Sequence, residues 1–165
     1  MNNIILIGMP GAGKSTVGVV LAKKMGYAFL DSDLLIQAYE NKLLHEIIEV
    51  KGLDVFKKIE NKVNAAINAE NTVIATGGSV IYGTEAMIHL KSIGSVIYLK
   101  LGYEELKNRL GDLSDRGVAI RLGQTLADLY EERTPLYEKY ADITIDCSKK
   151  DIREIVLEIE KRHGN

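Results

Sequence analysis

A glycine-rich stretch near the N-terminus has the clearest chemistry in the sequence. Residues 8–16 read GMPGAGKST and match the pattern G-x-x-x-x-G-K-[ST] of phosphate-binding loops. Glycines allow tight turns with positive φ, so successive N–H groups can approach phosphate oxygens. Lys14 is expected to reach the β- and γ-phosphates, and Ser15 to bind Mg²⁺ while opening a helix. The predicted members of this nucleoside triphosphate site are Gly11, Ala12, Gly13, Lys14, Ser15 and Thr16.

The sequence on either side of this loop supports the interpretation. The apolar residues 4–7 before it are typical of a buried strand. A helical pattern follows it, through Val17, Val20, Leu21 and Met25. The alternative, a glycine turn with an exposed lysine, would not require this strand–loop–helix context.

Two carboxylates, Asp31 and Asp33, follow the second predicted strand. In parallel α/β sheets, ligands bind at the carboxyl ends of the strands. One carboxylate is suited to holding hydrated Mg²⁺ together with Ser15, and the other to accepting a proton from a substrate hydroxyl. The alternative is that Asp31 or Ser32 only caps the helix that begins near Asp33.

Two later stretches carry residues suited to binding an acceptor. Gly77 and Gly78 follow the third predicted strand, where they either let the backbone approach a ligand or form a plain turn. Arg133 precedes Pro135, and proline is expected to end a helix nearby. Arg133 is then expected to bind either a carboxylate ligand through its planar fork, or Glu131 and its neighbours in a surface pair.

Residues 111–124 lack apolar periodicity, because glycines and charges interrupt every pattern. Such a segment is typical of a lid that folds over a ligand. It contains Arg116 and Arg121, and an arginine above a phosphate loop is suited to stabilising the transferring phosphoryl group. The alternative is an exposed loop with solvated charges.

The elements that would position these candidates follow from the sequence pattern, in which short β-rich runs alternate with longer helical runs. The pattern predicts an α/β fold of three layers, a five-stranded parallel sheet flanked by helices. Strands are expected at 3–7, 28–30, 72–75, 96–99 and 143–145. Helices are expected at about 33–39, 44–50, 53–69, 85–92, 103–110, 126–140 with a break at Pro135, and 151–162. In the third helix, the spacing of Phe56, Ile59, Val63 and Ile67 predicts the face toward the core.

Length and composition limit the classes of protein that fit. A chain of 165 residues is the size of one domain, and 46% hydrophobic with 27% charged residues is typical of a globular protein. A net charge of -2 without a basic block disfavours nucleic acid as a partner. Apolar runs are too short to span a membrane, so a cytoplasmic protein is expected. Cys147 is expected to be an inert thiol, and the three histidines lack metal-ligand spacing.

In their order along the chain, these motifs resemble the shikimate kinase family. Its members are small nucleoside-monophosphate-kinase-like enzymes that use MgATP to phosphorylate the 3-hydroxyl of shikimate. Residues 8–22 resemble the family pattern G-x-x-G-x-G-K-S/T-x-x-G-x-x-L-A, and residues 31–33 resemble D-S/T-D. Residues 75–78 resemble the substrate loop A-T-G-G-G, and residues 132–137 resemble E-R-x-P-L-Y.

The resemblance implies roles for individual residues. Asp31 would serve Mg²⁺, whereas Asp33 would contact the substrate hydroxyls and act as base. Arg133 would bind the shikimate carboxylate, and Arg109 would stack on adenine just before the lid. Gly77 and Gly78 would belong to the substrate loop.

The sequence departs from the family pattern at three places. The motif F-R-x-x-E, which supplies the other carboxylate clamp, appears at 56–60 as F-K-K-I-E. Lys57 keeps the charge but cannot bind a carboxylate bidentately, so we expect a weaker second anion contact. Ser79 replaces the third glycine of the substrate loop, where it is expected to add a side chain facing the ligand. Arg116 is followed by G-V-A rather than completing R-P-L.

We therefore predict an ATP-dependent small-molecule kinase with an alcohol acceptor, shikimate being the leading one. The expected organisation is a single P-loop domain of residues 1–165, because the sequence has no internal repeat and no linker. Within it we expect a substrate-binding helical part at about 33–68 and a lid at about 111–124. A monomer is expected. Two alternatives remain: a kinase of the same fold for another small hydroxylated acid or polyol, and a nucleotide-binding regulatory module with little turnover.

Overall fold

Five parallel strands form one sheet in residues 2–110 and 118–164, the part of the chain that this computed structural model describes. The strands are Asn3–Ile7 (β1), Ala28–Asp31 (β2), Thr72–Ala75 (β3), Gly94–Lys100 (β4) and Ile143–Asp146 (β5). Their order across the sheet is β2-β3-β1-β4-β5. The predicted sheet is confirmed, and β2, β4 and β5 are slightly longer than predicted.

The central strand β1 brings the phosphate-binding loop to the middle of the sheet. It pairs with β3 on one side and β4 on the other, with Ile5 beside Ile74 and Val96. All residues of β1 are buried, as expected of a parallel strand covered on both faces. The chain continues to one side of β1 for β2 and β3 and to the other side for β4 and β5. The loop after β1 therefore lies where ligands bind in open parallel sheets.

The helices cover this sheet. They are Lys14–Met25 (α1), Ser32–Glu40 (α2), Leu44–Lys51 (α3), Leu53–Ala65 (α4), Thr84–Ile93 (α5), Tyr103–Leu110 (α6), Leu126–Tyr140 (α7) and Ile152–His163 (α8). A short 3-10 helix spans Val80–Tyr82. Helices α1 and α8 pack against each other, while α5 and α7 contact β4. None of the helices in the described ranges is long and apolar enough to cross a membrane.

Helix α7 continues through Pro135, so the predicted break there is wrong. Proline removes one backbone N–H bond, but tertiary packing of the helix compensates. The buried side chains Leu129, Arg133 and Tyr137 recur every four residues along α7, and the Tyr137 ring stacks on Tyr98 at 5.1 Å. Arg133 consequently lies inside a helix rather than near its end.

Helix α4 differs from its prediction in length and in the face that it buries. It ends at Ala65 instead of continuing to about residue 69. Its buried residues are Phe56, Glu60 and Asn64, whereas Ile59 and Val63 are only partly buried against a second apolar cluster. Besides Phe56, that cluster contains Ile36, Ile47 and Ala119. The helix therefore turns two polar side chains inward, beside the cleft described next.

Candidate active site

The loop after β1 has the backbone that phosphate binding requires. Gly11 and Gly13 have φ angles of +81° and +93°, which side-chain-bearing residues rarely adopt. Within the described residues, no side chain caps the N-terminus of α1, which begins directly after Gly13. The first N–H groups of this helix and its dipole therefore favour an anion. Ala12 lies beneath the loop, buried, with its N–H donating to the Met9 carbonyl at 3.1 Å.

Lys14 is folded onto its own loop. Its Nζ donates to the carbonyls of Gly8 and Met9, both at 2.8 Å. Burial lowers the Lys14 pKa to about 8, while the charges of Asp33 and Asp31 act in the opposite direction. The ammonium is thus held within the loop, at the point where the motif places the β- and γ-phosphates.

Asp31 caps α2 and also contacts Ser15. One carboxylate oxygen accepts the backbone N–H of Asp33 at 3.0 Å and so caps α2. The other oxygen accepts the hydroxyl of Ser15 at 2.9 Å. A carboxylate and a hydroxyl side by side fit Mg²⁺, which prefers oxygen ligands and keeps several waters and phosphate oxygens.

Asp33 is the second residue of α2 and lines the cleft. Burial, followed by the charge of Asp31, raises the Asp33 pKa to about 6, and the Lys14 ammonium opposes this rise. A carboxyl group with this pKa is ionised at neutral pH and still basic enough to take a proton from an alcohol during reaction.

The two glycines after β3 leave space that other side chains fill. A Cβ on Gly77 would lie 2.6 Å from the Asp33 Oδ1 atom. A Cβ on Gly78 would lie 2.8 Å from the Pro10 ring and 2.9 Å from the Arg133 Nη1 atom. The absence of side chains here therefore allows the carboxylate, the arginine and the phosphate loop to converge. This is more than a plain turn requires.

Arg133 is completely buried and belongs to the same cleft. Its Nη2 donates to the Ala119 carbonyl at 2.6 Å, and its Nε has no hydrogen-bond partner among the described residues. The predicted alternative of a surface pair with Glu131 is wrong, because a side chain without solvent exposure cannot form one. An arginine in this position can bind an anionic group inside the cleft.

Lys57 lies beside this arginine but does not line the described cleft wall. Its Nζ lies 4.1 Å from the centre of the Tyr82 ring, and the Arg133 guanidinium lies 5.5 Å from the same ring. Burial lowers the Lys57 pKa, and the charges of Arg121 and Arg133 lower it further. The two cations thus share one aromatic side chain.

The remaining arginines differ in position. Arg121 is exposed, with its charge close to Lys57 and Glu132. Arg116 falls in residues 111–117, outside the described residues. Arg109 donates to the Gly11 carbonyl at 3.4 Å and so lies at the edge of the phosphate loop.

One cleft of about 380 Å³ unites most of the predicted site residues. Phosphate-loop residues, Asp33 and Arg133 all contribute to its wall. The predicted residues in its wall are Gly11, Gly13, Lys14, Ser15, Thr16, Asp33, Gly77, Gly78 and Arg133. Val118 and Ala119, from the described end of the predicted lid segment, also contribute to the wall.

The sequence-based candidates omitted two residues that the structure brings to this cleft or its border. Glu60 is buried, and its Oε1 accepts the Ser79 hydroxyl at 2.6 Å. The Tyr82 ring contacts both Lys57 and Arg133, and its hydroxyl donates a hydrogen bond to Glu132 at 2.7 Å. The helical spacing of Glu60 from Phe56 was the available signal for the first, whereas nothing in the sequence indicated Tyr82. Ser79 was expected to face the ligand, but its hydroxyl is turned to Glu60.

Comparisons with known proteins agree with this geometry. The family model "Shikimate kinase" matches residues 10–163. A shikimate kinase from a Sulfurihydrogenibium species is 36% identical over 160 residues, with 96% of each chain covered. One from Clostridium botulinum strain Loch Maree is 38% identical over 166 residues, with 98% of each chain covered.

Solved structures give the same result. The Acinetobacter baumannii shikimate kinase in complex with shikimate superposes with a TM-score of 0.86 at 32% identity, covering 98% of this chain and 92% of that one. A deoxyadenosine kinase from M. mycoides with bound dATP, 17% identical with a TM-score of 0.65, shares the fold. The chain belongs to the shikimate kinase family, a family of ATP- and Mg²⁺-dependent phosphotransferases with an alcohol acceptor.

Proposed function

We propose that this chain transfers the γ-phosphoryl group of MgATP to the 3-hydroxyl of shikimate. The observation that carries the proposal is one cleft whose wall contains the phosphate loop, Asp33 and the buried Arg133. A triphosphate bound by the loop and a hydroxylated carboxylate held by Arg133 would then both lie within reach of Asp33. The shikimate-bound relative of the same fold supports this choice of acceptor.

The nucleotide end is assigned to the phosphate loop. N–H groups of the loop and the first turn of α1 bind phosphate oxygens, and Lys14 leaves the carbonyls of Gly8 and Met9 to pair with the β- and γ-phosphates. Ser15 and Asp31, which lie side by side, would hold the metal. When bound, Mg²⁺ neutralises charge on the β- and γ-phosphates. Arg109, at the edge of this loop, is placed to contact the adenine.

The acceptor end is assigned to Arg133 and the residues around it. The buried guanidinium binds the acceptor carboxylate bidentately, with Lys57 as a second, weaker anion contact at the border. Gly77 and Gly78 let the acceptor ring approach the backbone.

Asp33 orients the reacting hydroxyl and takes its proton. As the acceptor oxygen bonds to the γ-phosphorus, the bond to the β–γ bridging oxygen breaks and ADP leaves. Most of the catalysis then comes from positioning and from charge neutralisation in a water-excluding cleft. Arg116 and Arg121, in the lid at about 111–124, are the candidates for closing over the transferring phosphoryl group.

The test is a coupled assay of ADP release with the purified chain, MgATP and a panel of small hydroxylated compounds that includes shikimate. We expect shikimate to stimulate ADP release and a phosphorylated product to form in equal amount. Stimulation by a different hydroxy acid or polyol, with none by shikimate, would retain the kinase and overturn the acceptor. Tight ATP binding without stimulation by any compound would indicate a regulatory nucleotide-binding module.

The finer organisation is part of the same proposal. We assign residues 1–165 to a single kinase domain, with the acceptor-binding helical part at about 33–68, acting as a monomer in the cytoplasm. Light scattering coupled to size-exclusion chromatography measures the mass in solution, and a dimer would contradict the assignment.

A further inference from the structure

Ser79 and Glu60 form a hydrogen-bonded pair in the wall of the cleft. Both residues line it, and both side chains are almost fully buried, with exposures of 4% and 2%. The Ser79 hydroxyl donates to the Glu60 Oε1 atom at 2.6 Å, a length typical of a hydrogen bond to an ionised carboxylate. The pair joins the loop after β3 to helix α4.

The second oxygen of Glu60 lies close to Gly77 and Asp33. A Cβ built on Gly77 would lie 2.9 Å from the Glu60 Oε2 atom and 2.6 Å from the Asp33 Oδ1 atom. These two oxygens therefore face each other across a glycine without a side chain. Asp33, Glu60 and Gly77 all line the cleft, so one small hydroxylated molecule in it can reach both carboxylates.

We propose that Ser79 is a positioning residue, whose hydroxyl fixes the Glu60 carboxylate so that its free oxygen accepts a hydrogen bond from an acceptor hydroxyl next to the one held by Asp33. This inference rests on the proposed function for the identity of the acceptor. The hydrogen-bonded pair itself does not depend on which acceptor binds. Ser79 is the residue that departs from the glycine of the family pattern, so its hydroxyl is a feature of this chain.

The physical need for such a fixing group follows from the surroundings of Glu60. A glutamate side chain has several rotatable bonds, and a buried carboxylate that is not held by hydrogen bonds is costly. The φ and ψ angles of Ser79 are −93° and 2°, an ordinary backbone conformation at the start of the 3-10 helix. The short rigid helix thus presents the hydroxyl at a fixed place.

The pair also sets the charge of the carboxyl group. Burial raises the Glu60 pKa to about 7, and the charge of Asp33 acts in the same direction. The Ser79 hydrogen bond is the largest effect that lowers it, and the charges of Arg133 and Lys57 also lower it. Loss of the hydroxyl should therefore leave Glu60 more protonated at neutral pH and less able to accept a hydrogen bond.

Steady-state kinetics of Ser79→Ala test the proposal. Because a hydrogen bond to a charged group is lost, we expect the KM for the acceptor to rise about tenfold, with the KM for ATP unchanged. Ser79→Thr keeps a hydroxyl and should stay nearer to the parent protein. Ser92→Ala is the matched control, since that exposed hydroxyl bonds only to a carbonyl of its own helix.

A double-mutant cycle separates the pair from general packing. In a Glu60→Gln background, Ser79→Ala should cost much less than it does in the parent protein, because the charged partner is gone. Equal costs in both backgrounds would overturn the proposal. A uniform rise in both KM values together with a lower Tm would also overturn it, because it would indicate a structural role alone.

Titration of the free protein distinguishes a failure of this inference from a failure of the proposed function. NMR of protein labelled with ¹³C at the glutamate side chains, with Glu60 assigned from Glu60→Gln, reports the Glu60 pKa without any acceptor. We expect this pKa to move to higher pH in Ser79→Ala and to stay constant in Ser92→Ala. An unchanged Glu60 pKa in Ser79→Ala overturns the positioning role even where shikimate is phosphorylated.

Discussion

Asp31 illustrates how one carboxylate can serve two partners. Its two oxygens divide the work, since one caps α2 while the other accepts the Ser15 hydroxyl. Capping restricts the side-chain rotamer, so the second oxygen stays beside Ser15. In the proposed function, the capping bond would therefore support metal binding as well as helix stability.

Lys57 carries the sharpest prediction about a single residue. Its ammonium lies over Tyr82 next to Arg133, so it adds positive charge to the acceptor end without a bidentate contact. We expect Lys57→Ala to raise the acceptor KM by about tenfold and Lys57→Arg to preserve or lower it, because arginine can bind a carboxylate with two parallel bonds. Initial-rate kinetics with varied acceptor at saturating MgATP measure the effect.

The neighbouring Lys58 supplies the control for this substitution. It is exposed on the same helix, and Lys58→Ala should leave the acceptor KM unchanged. A normal acceptor KM in Lys57→Ala would mean that the ammonium on Tyr82 belongs only to the protein surface.

The loop between β3 and the 3-10 helix determines how closely the other elements approach. Gly77→Ala would put a methyl group 2.6 Å from the Asp33 Oδ1 atom and 2.9 Å from the Glu60 Oε2 atom, so both carboxylates would have to move. Because small misplacements of catalytic groups are costly, we expect kcat/KM for the acceptor to fall about a hundredfold. The far-ultraviolet circular dichroism spectrum should stay that of the parent protein.

Gly102→Ala is the comparison for that substitution. The nearest atom to a Cβ there is the Ser148 hydroxyl oxygen at 4.0 Å, and we expect activity close to that of the parent protein. Equal activity in Gly77→Ala and Gly102→Ala would contradict a close approach at the substrate loop.

The elements were predictable from sequence where local pattern decides them. Parallel strands such as β1 read as apolar runs, and Gly13 followed by Lys14 marks the start of α1. Prediction failed where tertiary contacts override local preference. Helix α4 buries Glu60 instead of Ile59 because Glu60 accepts the hydroxyl of Ser79 after β3. Helix α7 continues through Pro135 while it packs against β4 and the 3-10 helix.

Tertiary contacts also limited how much of the candidate site could be predicted from the sequence. Residues of short, specific motifs, such as Lys14 and Asp33, were found by their spacing. The hydrogen bond from Ser79 to Glu60 joins residues distant in sequence, and the ring of Tyr82 becomes relevant only when two cations converge on it. Such pairings depend on how α4, α7 and the loop after β3 pack, and local sequence patterns do not predict that packing.

For the whole molecule, the acceptor end of the cleft reduces stability in a pH-dependent way. A carboxyl group with a raised pKa in the folded state resists ionisation there, while the unfolded chain ionises normally. For Glu60 the two pKa values are about 7 and 4.5. Between them the folded state binds more protons, so the free energy of unfolding falls as pH rises through this range.

Glu60→Gln should remove this dependence. The amide keeps the shape and still accepts the Ser79 hydroxyl, so we expect a Tm a few degrees above that of the parent protein at pH 8 and a smaller difference at pH 5. Differential scanning calorimetry at the two pH values measures both. Glu49→Gln, on the exposed side of α3, should show no such dependence, and a pH-independent effect of Glu60→Gln would contradict an ionised Glu60 above pH 7.

Binding of nucleotide should stabilise the whole chain through a rearrangement at its centre. The Lys14 ammonium donates hydrogen bonds to the carbonyls of Gly8 and Met9. In the complex, negatively charged phosphate oxygens would replace these neutral acceptors. A ligand at a hundredfold excess over its Kd stabilises the folded state by about 2.7 kcal/mol. For a chain of this size, that corresponds to a Tm rise on the order of 5–10 °C in a thermal-shift measurement with MgATP.

Removal of Mg²⁺ with EDTA should reduce this rise in Tm, because no cation would then lie between the phosphates and the proposed ligands Ser15 and Asp31. Lys14→Met should abolish most of it, whereas Lys23→Ala, on the exposed side of the same helix, should retain it. An equal rise in Lys14→Met and Lys23→Ala would place the nucleotide away from the loop after β1.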